Sequence, residues 1–373
     1  MLKINNALSR ETPPTAECFE WEGGVNWEDQ TKEKCIIDWK EVKPRLKEDA
    51  GFSKEAAEIW KRYFDILFDG LKLLVKINDN EKTLREDAQD LYNRLFPEGI
   101  LDRVALLDLL LVRPDDEKID SFIDLVNTEA AREAAEAIFD YSAFSRRPDF
   151  PELVRLLDVN VCPYCGRAFT GTAKKKSTGK YFRTNQVDHF LPKSIYPQFA
   201  LSLWNLIPSC ASCNNRKNDI VTDSLYPYAQ EMGDSFRLCT EGTDGLDYMI
   251  STAKGSKFRV AFKAFPESTE PGELELIRRA RAEIDMLGLD ALYASHKDYV
   301  RDIYRQRYVF DDAYIDSLIR TFPLLFRTRE DVRALLYMKR IEKENIGSAP
   351  LDKLTRDIDT EISELLLKSK III

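Results

Sequence analysis

The chain has 373 residues, of which 44% are hydrophobic and 32% are charged, and its formal net charge is −9. This composition is typical of a soluble globular protein with two or three domains, and no segment approaches the roughly 20 uninterrupted apolar residues that a membrane span requires. The negative charge argues against a protein that coats nucleic acid over its whole surface. Because the first residues lack the apolar core of a secretion signal, we expect a cytoplasmic protein with reduced thiols.

The first 158 residues are predicted to form an irregular arm followed by helices. Residues 1–50 mix prolines and glycines with three tryptophans, and we interpret them as an N-terminal arm that docks on a partner. A helical domain is predicted over residues 51–158, because apolar residues recur there at spacings of three and four, as one helix face requires. The first of these helices is predicted from Ile59, Trp60, Tyr63, Phe64, Leu67, Leu71 and Leu74.

Residues 159–225 differ in composition from the rest of the chain. They contain short strand-like segments at 181–187 and 204–207, several prolines and few helical repeats. This pattern predicts a compact α+β module within a mostly helical protein.

Residues 226–373 are predicted to be a mainly helical C-terminal domain. A strand is predicted at 258–265, and the helical pattern after it is interrupted near Gly288, Phe310, Thr328 and Gly347. Gly and capping residues at such positions favour helix ends.

Basic residues are concentrated in one segment of this acidic chain. Between Val161 and Lys217 nine basic residues stand against a single acid, Asp188, which gives this window a charge of +8 and leaves −17 for the rest. A basic segment of this kind predicts a localised phosphate-binding site, although a lysine run is more often a solvated loop. The candidate nucleic-acid-binding residues are Lys174, Lys175, Lys176, Lys180, Arg183, Lys193, Arg216 and Lys217.

Four of the seven cysteines form two C-x-x-C pairs, Cys162 with Cys165 and Cys210 with Cys213. Two such turns can surround a tetrahedral Zn²⁺, and a site filled by four thiolates leaves no position for a reacting water. The pattern therefore predicts a structural zinc that joins distant turns, and buried free thiols are the alternative.

Three short motifs lie between and within the cysteine pairs: VDHFLPKS at 187–194, WNLIP at 204–208 and CASCNNRK at 210–217. At these residues the sequence resembles the HNH nuclease family. Members of that family carry an Asp-His or His-His pair, a central Asn and a final His or Asn on a ββα-metal fold. The resemblance implies an α+β, mostly helical protein with a central ββα-metal nuclease module stapled by a four-cysteine zinc site.

Phosphodiester hydrolysis gives the motif residues their predicted roles. His189 is the candidate general base, because imidazole has a pKa suited to deprotonating water. Asp188 supplies a carboxylate for a divalent cation, and the resemblance places Asn214 as the final metal ligand and Asn205 as a residue that holds the loop and orients His189. Asn at the final position makes the site more oxygen-rich, which favours Mg²⁺ or Mn²⁺.

The flanking residues add a narrower resemblance. The sequence around the motif is similar to the HNH subunit of Septu-type bacterial antiphage systems. The similar segments are DHFLPKSIYPQFAL, NLIPSCASCNNRK and the later segment 350–358 (PLDKLTRDI). This implies a DNA-cleaving effector nuclease with an ABC-type ATPase partner subunit. Two alternatives remain open: a zinc-stapled module that binds nucleic acid or protein without cutting, and an HNH nuclease that acts on RNA.

Overall fold

The computed structural model describes residues 2–21, 34–38, 44–48, 50–70, 72–76, 89–95, 102–242, 258–264 and 270–371. The chain divides into two compact units. The first, here called the module unit, comprises residues 4–159 and 170–221. The second, here called the C-terminal unit, comprises residues 1–3, 160–169 and 222–373. The domain bounds proposed from the sequence stay a prediction.

Helices predominate in the module unit, and its described strands form antiparallel pairs. The helices are α1 (Lys54–Gly70), α2 (Gln89–Leu95), α3 (Arg103–Leu111), α4 (Ile119–Ile123), α5 (Glu129–Ile138), α6 (Tyr141–Ser145), α7 (Phe150–Leu156) and α8 (Ala211–Lys217). The strands are β1 (Phe19–Trp21), β2 (Lys34–Asp38), β3 (Pro44–Leu46), β4 (Lys72–Lys76), β5 (Thr172–Lys174), β6 (Tyr181–Arg183), β7 (Gln186–His189) and β8 (Leu206–Ser209). The pairs are β1 with β3, β2 with β4, β5 with β6 and β7 with β8.

An aromatic cluster on α1 forms the core of the module unit. Trp60, Tyr63 and Phe64 are almost completely buried. The Phe19 ring from β1 meets the Phe64 ring edge-on at 5.1 Å, and the Trp60 ring lies 5.9 Å from that of Trp204. Edge-on aromatic contacts of this kind stabilise beyond the area that they bury. Phe19 of the predicted arm therefore packs on α1 of its own chain. Docking of the arm on a partner stays a prediction.

The first helix is shorter than the sequence pattern predicted. Helix α1 ends at Gly70, and Leu74 lies in strand β4, opposite Ile36 of β2. Inclusion of Leu74 in the helix is wrong, and Leu71 lies outside the described residues. The KLLVK segment of β4 is apolar enough for either structure, and its pairing with a strand more than thirty residues away overrides the local spacing.

Side-chain caps begin several helices of the module unit. Asp102 accepts hydrogen bonds from the backbone N–H groups of Val104 and Ala105 at the start of α3. Thr128 accepts one from Ala131 at the start of α5. Such caps satisfy N–H groups that have no partner within the helix.

The C-terminal unit combines a β-hairpin-like pair with six described helices. Strands β9 (Phe236–Glu241) and β10 (Arg259–Ala264) pair antiparallel. The helices are α9 (Pro271–Leu287), α10 (Leu289–Ala294), α11 (Lys297–Val309), α12 (Asp312–Thr321), α13 (Arg329–Tyr337) and α14 (Asp352–Ile371). Among the described helices, none is both long and apolar enough to cross a membrane.

The helix breaks fall where the sequence predicted them. Gly288 adopts a left-handed conformation (φ 61°) between α9 and α10, and Phe310 is the C-cap of α11. Thr328 forms a capping box with Asp331 at the start of α13. Gly347 has φ 97° ahead of α14, a conformation that glycine adopts without strain.

Buried ion pairs connect the helices of the C-terminal unit. The Arg307 guanidinium on α11 and the Asp359 carboxylate on α14 approach to 3.1 Å, and the Tyr337 hydroxyl on α13 donates to Asp359 at 2.6 Å. All three side chains are buried. Residues 352–358 of the segment 350–358 belong to the same helix, and within them Lys353 pairs with Asp357 at 3.0 Å.

Candidate active site

Strands β7 and β8 and helix α8 form a ββα arrangement. Asp188 pairs with Ile207 and His189 with Leu206 across the two strands, and α8 starts two residues after β8 ends. Asp188 and His189 are buried, with 4% and 7% of their surface exposed. The predicted metal-binding carboxylate and the candidate base therefore lie together on one strand, beside the helix that carries Cys213, Asn214 and Lys217.

His189 is held as a neutral imidazole. Its Nε2 lies 3.0 Å from the backbone oxygen of Ala200, and because a carbonyl only accepts, Nε2 carries the proton. Nδ1 is then the ring nitrogen with a free lone pair. Burial lowers the pKa of His189 to about 3, with smaller contributions from neighbouring lysines. The Tyr141 ring of α6 meets the imidazole edge-on at 4.3 Å, so helices outside the ββα arrangement also fix the ring.

Lys217 lies inside the site. Its side chain is buried, and Nζ is 3.1 Å from Asp188 Oδ2 and 3.3 Å from Asp188 Oδ1. It also donates to the backbone oxygen of His189 at 2.6 Å. One ammonium thus fixes both the candidate metal-binding carboxylate and the strand that carries the candidate base. The sequence pattern had placed Lys217 among the candidate phosphate contacts, and the structure directs its ammonium to Asp188.

Asn205 ties down the segment between β7 and β8. Its Oδ1 accepts from the Leu191 N–H at 2.7 Å, and its Nδ2 donates to the oxygens of Leu191 and Phe199 at 3.0 and 3.1 Å. The side chain is almost fully buried. The Phe190 N–H also donates to the Asn205 backbone oxygen at 2.9 Å. Asn205 therefore makes the side-chain to backbone hydrogen bonds that a loop-orienting residue requires.

Asn214 lies one turn before Lys217 on α8. Its Nδ2 donates to Gln186 Oε1 on β7 at 2.6 Å, which connects the helix to the strand. The amide that donates through its nitrogen keeps Oδ1 as its acceptor atom. Asn214 is half-buried. Its side chain therefore contacts β7 through the nitrogen and is partly open to solvent.

The four cysteines of the C-x-x-C pairs come together in one cluster. The Sγ atoms of Cys162, Cys165, Cys210 and Cys213 all lie within 4.8 Å of one another. With Zn–S distances of about 2.3 Å, tetrahedral geometry needs sulfur atoms about 3.8 Å apart, so a small contraction of the cluster accommodates zinc. The Arg167 N–H points to Cys165 Sγ at 3.4 Å, a contact that favours a thiolate. The donor set fits zinc, as predicted.

The eight candidate nucleic-acid-binding residues fall into three classes. Arg183 is half-buried, with its guanidinium 4.9 Å from the centre of the Phe150 ring, and Lys217 is buried beside Asp188. The other six are exposed: Lys174, Lys175, Lys176, Lys180, Lys193 and Arg216. Contact of these residues with phosphate stays a prediction, and exposure alone favours the six.

Comparison with known proteins identifies the module. Residues 162–219 match the family model described as HNH endonuclease. These residues form an HNH endonuclease domain. The bounds of the match include both cysteine pairs and the Asp-His strand, and they lie within the predicted module of residues 159–225.

Two curated proteins are similar to part of this chain. Protein ea31 of Escherichia phage lambda is 33% identical over 73 residues, which cover 18% of this chain and 20% of that protein. Septu protein PtuB of Bacillus thuringiensis is 38% identical over 58 residues, which cover 16% of this chain and 19% of that protein. The chain therefore spans about one fifth of the length of these relatives. Comparison with solved structures gives no match.

Sequence reasoning missed two features of the HNH domain. Lys217 lies four residues after Cys213, on the same face of α8, and this spacing is a signal that could have turned its side chain toward the core. Tyr141 gave no local signal, because its contact with His189 joins residues 48 positions apart.

Proposed function

We propose that this protein is a metal-dependent HNH endonuclease that hydrolyses DNA phosphodiester bonds. The observation that supports it most is the pairing of a buried, neutral His189 with Asp188 on one strand of the ββα arrangement. A zinc-stapled module that only binds needs neither an imidazole with an unprotonated ring nitrogen nor a buried carboxylate beside it. Their joint presence favours cutting over binding alone.

His189 would act as the general base through Nδ1. Because Nε2–H is engaged by the Ala200 oxygen, Nδ1 is the ring nitrogen that would accept the proton of the attacking water. The carbonyl of Ala200 would then stabilise the charge that the ring acquires. Asn205 and Tyr141 would act as positioning residues, since Asn205 holds the loop and Tyr141 packs on the imidazole ring.

Asp188 and Asn214 would hold a divalent cation with water and substrate oxygens completing its shell. A single carboxylate and an amide oxygen suit Mg²⁺ or Mn²⁺, which often bind proteins through one or two carboxylates and use substrate phosphates for the rest. When bound, the cation would stabilise charge on the scissile phosphate and on the departing 3′ oxygen. Lys217 keeps the Asp188 carboxylate oriented for this role.

The test is DNA cleavage by the full-length chain with Mg²⁺ or Mn²⁺, comparing wild type with His189→Ala. Loss of the base should reduce the rate by about 10²- to 10⁴-fold. His296→Ala is the matched control, because His296 is the second histidine of the chain and we expect it to cut normally. Equal cutting by His189→Ala and wild type would contradict the catalytic assignment, and RNA of the same sequence in parallel reactions tests the RNA alternative.

We further propose that the nuclease is the effector of a cytoplasmic bacterial antiphage complex with an ABC-type ATPase partner. The similarity to Septu protein PtuB supports this. The test is affinity purification of the tagged chain with the products of its neighbouring genes, followed by the cleavage assay on the recovered complex. An ATPase that co-purifies and changes the cleavage rate is the expected result, and recovery of the chain alone would contradict it.

A further inference from the structure

Strands β5 and β6 form an ordered hairpin directly before the catalytic strand. Thr172 pairs with Arg183, Ala173 with Phe182 and Lys174 with Tyr181. The turn is closed by a backbone bond from Lys175 N to Lys180 O at 2.8 Å. The hairpin therefore presents its side chains on a defined framework.

The two faces of this hairpin differ. Opposed residues of an antiparallel pair share a face, so Thr172, Lys174, Tyr181 and Arg183 lie together. This face packs on α7, where the Arg155 guanidinium lies 5.4 Å from the Tyr181 ring centre and Arg183 covers the Phe150 ring. The other face carries Ala173 and Phe182.

Phe182 is exposed to 49% on that second face. Its cross-strand neighbour Ala173 is also exposed and has only a methyl group, so one side of the ring has no bulky neighbour on the partner strand. The tip beside it carries the exposed lysines Lys175, Lys176 and Lys180, and residues 172–183 contain no acid. An exposed aromatic ring flanked by cations matches a nucleic-acid strand, whose bases stack and whose phosphates are negative.

We infer that the hairpin binds an unpaired segment of the DNA substrate, with Phe182 stacked on a base and the tip lysines on the adjacent phosphates. This inference rests on the proposed nuclease function and adds a substrate class, DNA with unpaired bases near the cut. Asp188 lies six positions after Phe182 in the chain, which limits the distance between their Cα atoms to about 20 Å. At a rise of about 3.4 Å per stacked nucleotide, this Cα–Cα limit corresponds to about six nucleotides, so the hairpin would hold the strand near the cut.

The experiment measures binding of the full-length chain to labelled oligonucleotides by fluorescence anisotropy, in a His189→Ala background. The probes are one sequence as single-stranded DNA, as duplex DNA and as single-stranded RNA. Phe182→Ala should weaken single-stranded DNA binding by at least about fivefold and duplex binding by less than about twofold. Phe182→Trp should retain binding, because indole also stacks. Tyr314→Ala is the matched control, since Tyr314 is equally exposed, at 49%, on α12.

Salt dependence separates stacking from charge. Phe182→Ala should leave the slope of log affinity against log salt unchanged, and Lys175→Ala should reduce that slope by about 0.7. The inference is overturned if Phe182→Ala binds single-stranded DNA as tightly as its parent, if duplex binding falls equally, or if the effect is confined to RNA. Cutting of the probe during the measurement would instead contradict the role of His189, and so the two proposals fail by different readouts.

Discussion

At the scale of residues, the site depends on one buried lysine as much as on the motif pair. Lys217 is the partner of Asp188 at 3.1 Å and of the His189 carbonyl at 2.6 Å. Two opposite charges in a buried site stabilise each other only while both are present. The buried Asp188 carboxylate therefore depends on the Lys217 ammonium for its stability.

Lys217→Met should therefore destabilise the protein by about 3–5 kcal/mol, because Asp188 would remain buried without its counter-charge. Urea unfolding of the metal-free chain measures this. Arg216→Met changes the adjacent, exposed residue and should shift the free energy of unfolding by less than about 0.5 kcal/mol. Adding Asp188→Asn to Lys217→Met should recover part of the loss, and a Lys217→Met protein as stable as wild type would argue against the ion pair.

At the scale of elements, the ββα arrangement of the HNH domain consists of two short strands and one short helix. Elements this short need further contacts to be stable. Strands β7 and β8 have four residues each and α8 has seven, lengths that are marginal alone. The four cysteine sulfur atoms lie within 4.8 Å of one another, and one of them belongs to Cys213 of α8. Zinc would therefore supply folding free energy and no chemistry.

We expect purified protein to contain about one Zn per chain by elemental analysis. Cys213→Ser should lose that zinc and lower the melting temperature, because a tetrahedral site with three thiolates binds less tightly. Cys239→Ser is the matched control, since Cys239 is also buried but lies outside the cluster, and its zinc content should stay normal. Well-folded wild-type protein that contains no zinc would contradict the prediction of a structural zinc site.

At the scale of the molecule, the helices of the module unit complete the core of the HNH domain. Trp60 packs on Trp204, the Tyr63 hydroxyl donates to the Leu201 oxygen at 2.7 Å, and Tyr141 covers His189. These contacts bury side chains of the domain that a smaller fragment would expose to water. Helices α1 and α6 therefore contribute directly to the packing of the candidate site.

Residues 159–225 expressed alone should consequently fail to give a cooperative thermal transition, even with zinc. The exposed apolar surface and the lost hydrogen bonds leave too small a core for independent stability. Circular dichroism during heating measures this, with the full-length chain as the control. A sharp two-state transition of the fragment would show that the predicted domain bounds are those of an independent folding unit.

The sequence by itself predicted the candidate site residues and the helix breaks of the C-terminal region. The cysteine pairs, the Asp-His pair, Gly288 and Thr328 are signals carried by a few neighbouring residues, so spacing and capping rules are enough to find them. Only the tertiary structure decided that β4 leaves the helical pattern, that Lys217 turns inward and that Tyr141 and Ala200 fix the imidazole and its tautomer. These depend on contacts between distant parts of the chain, where packing and burial outweigh local preference.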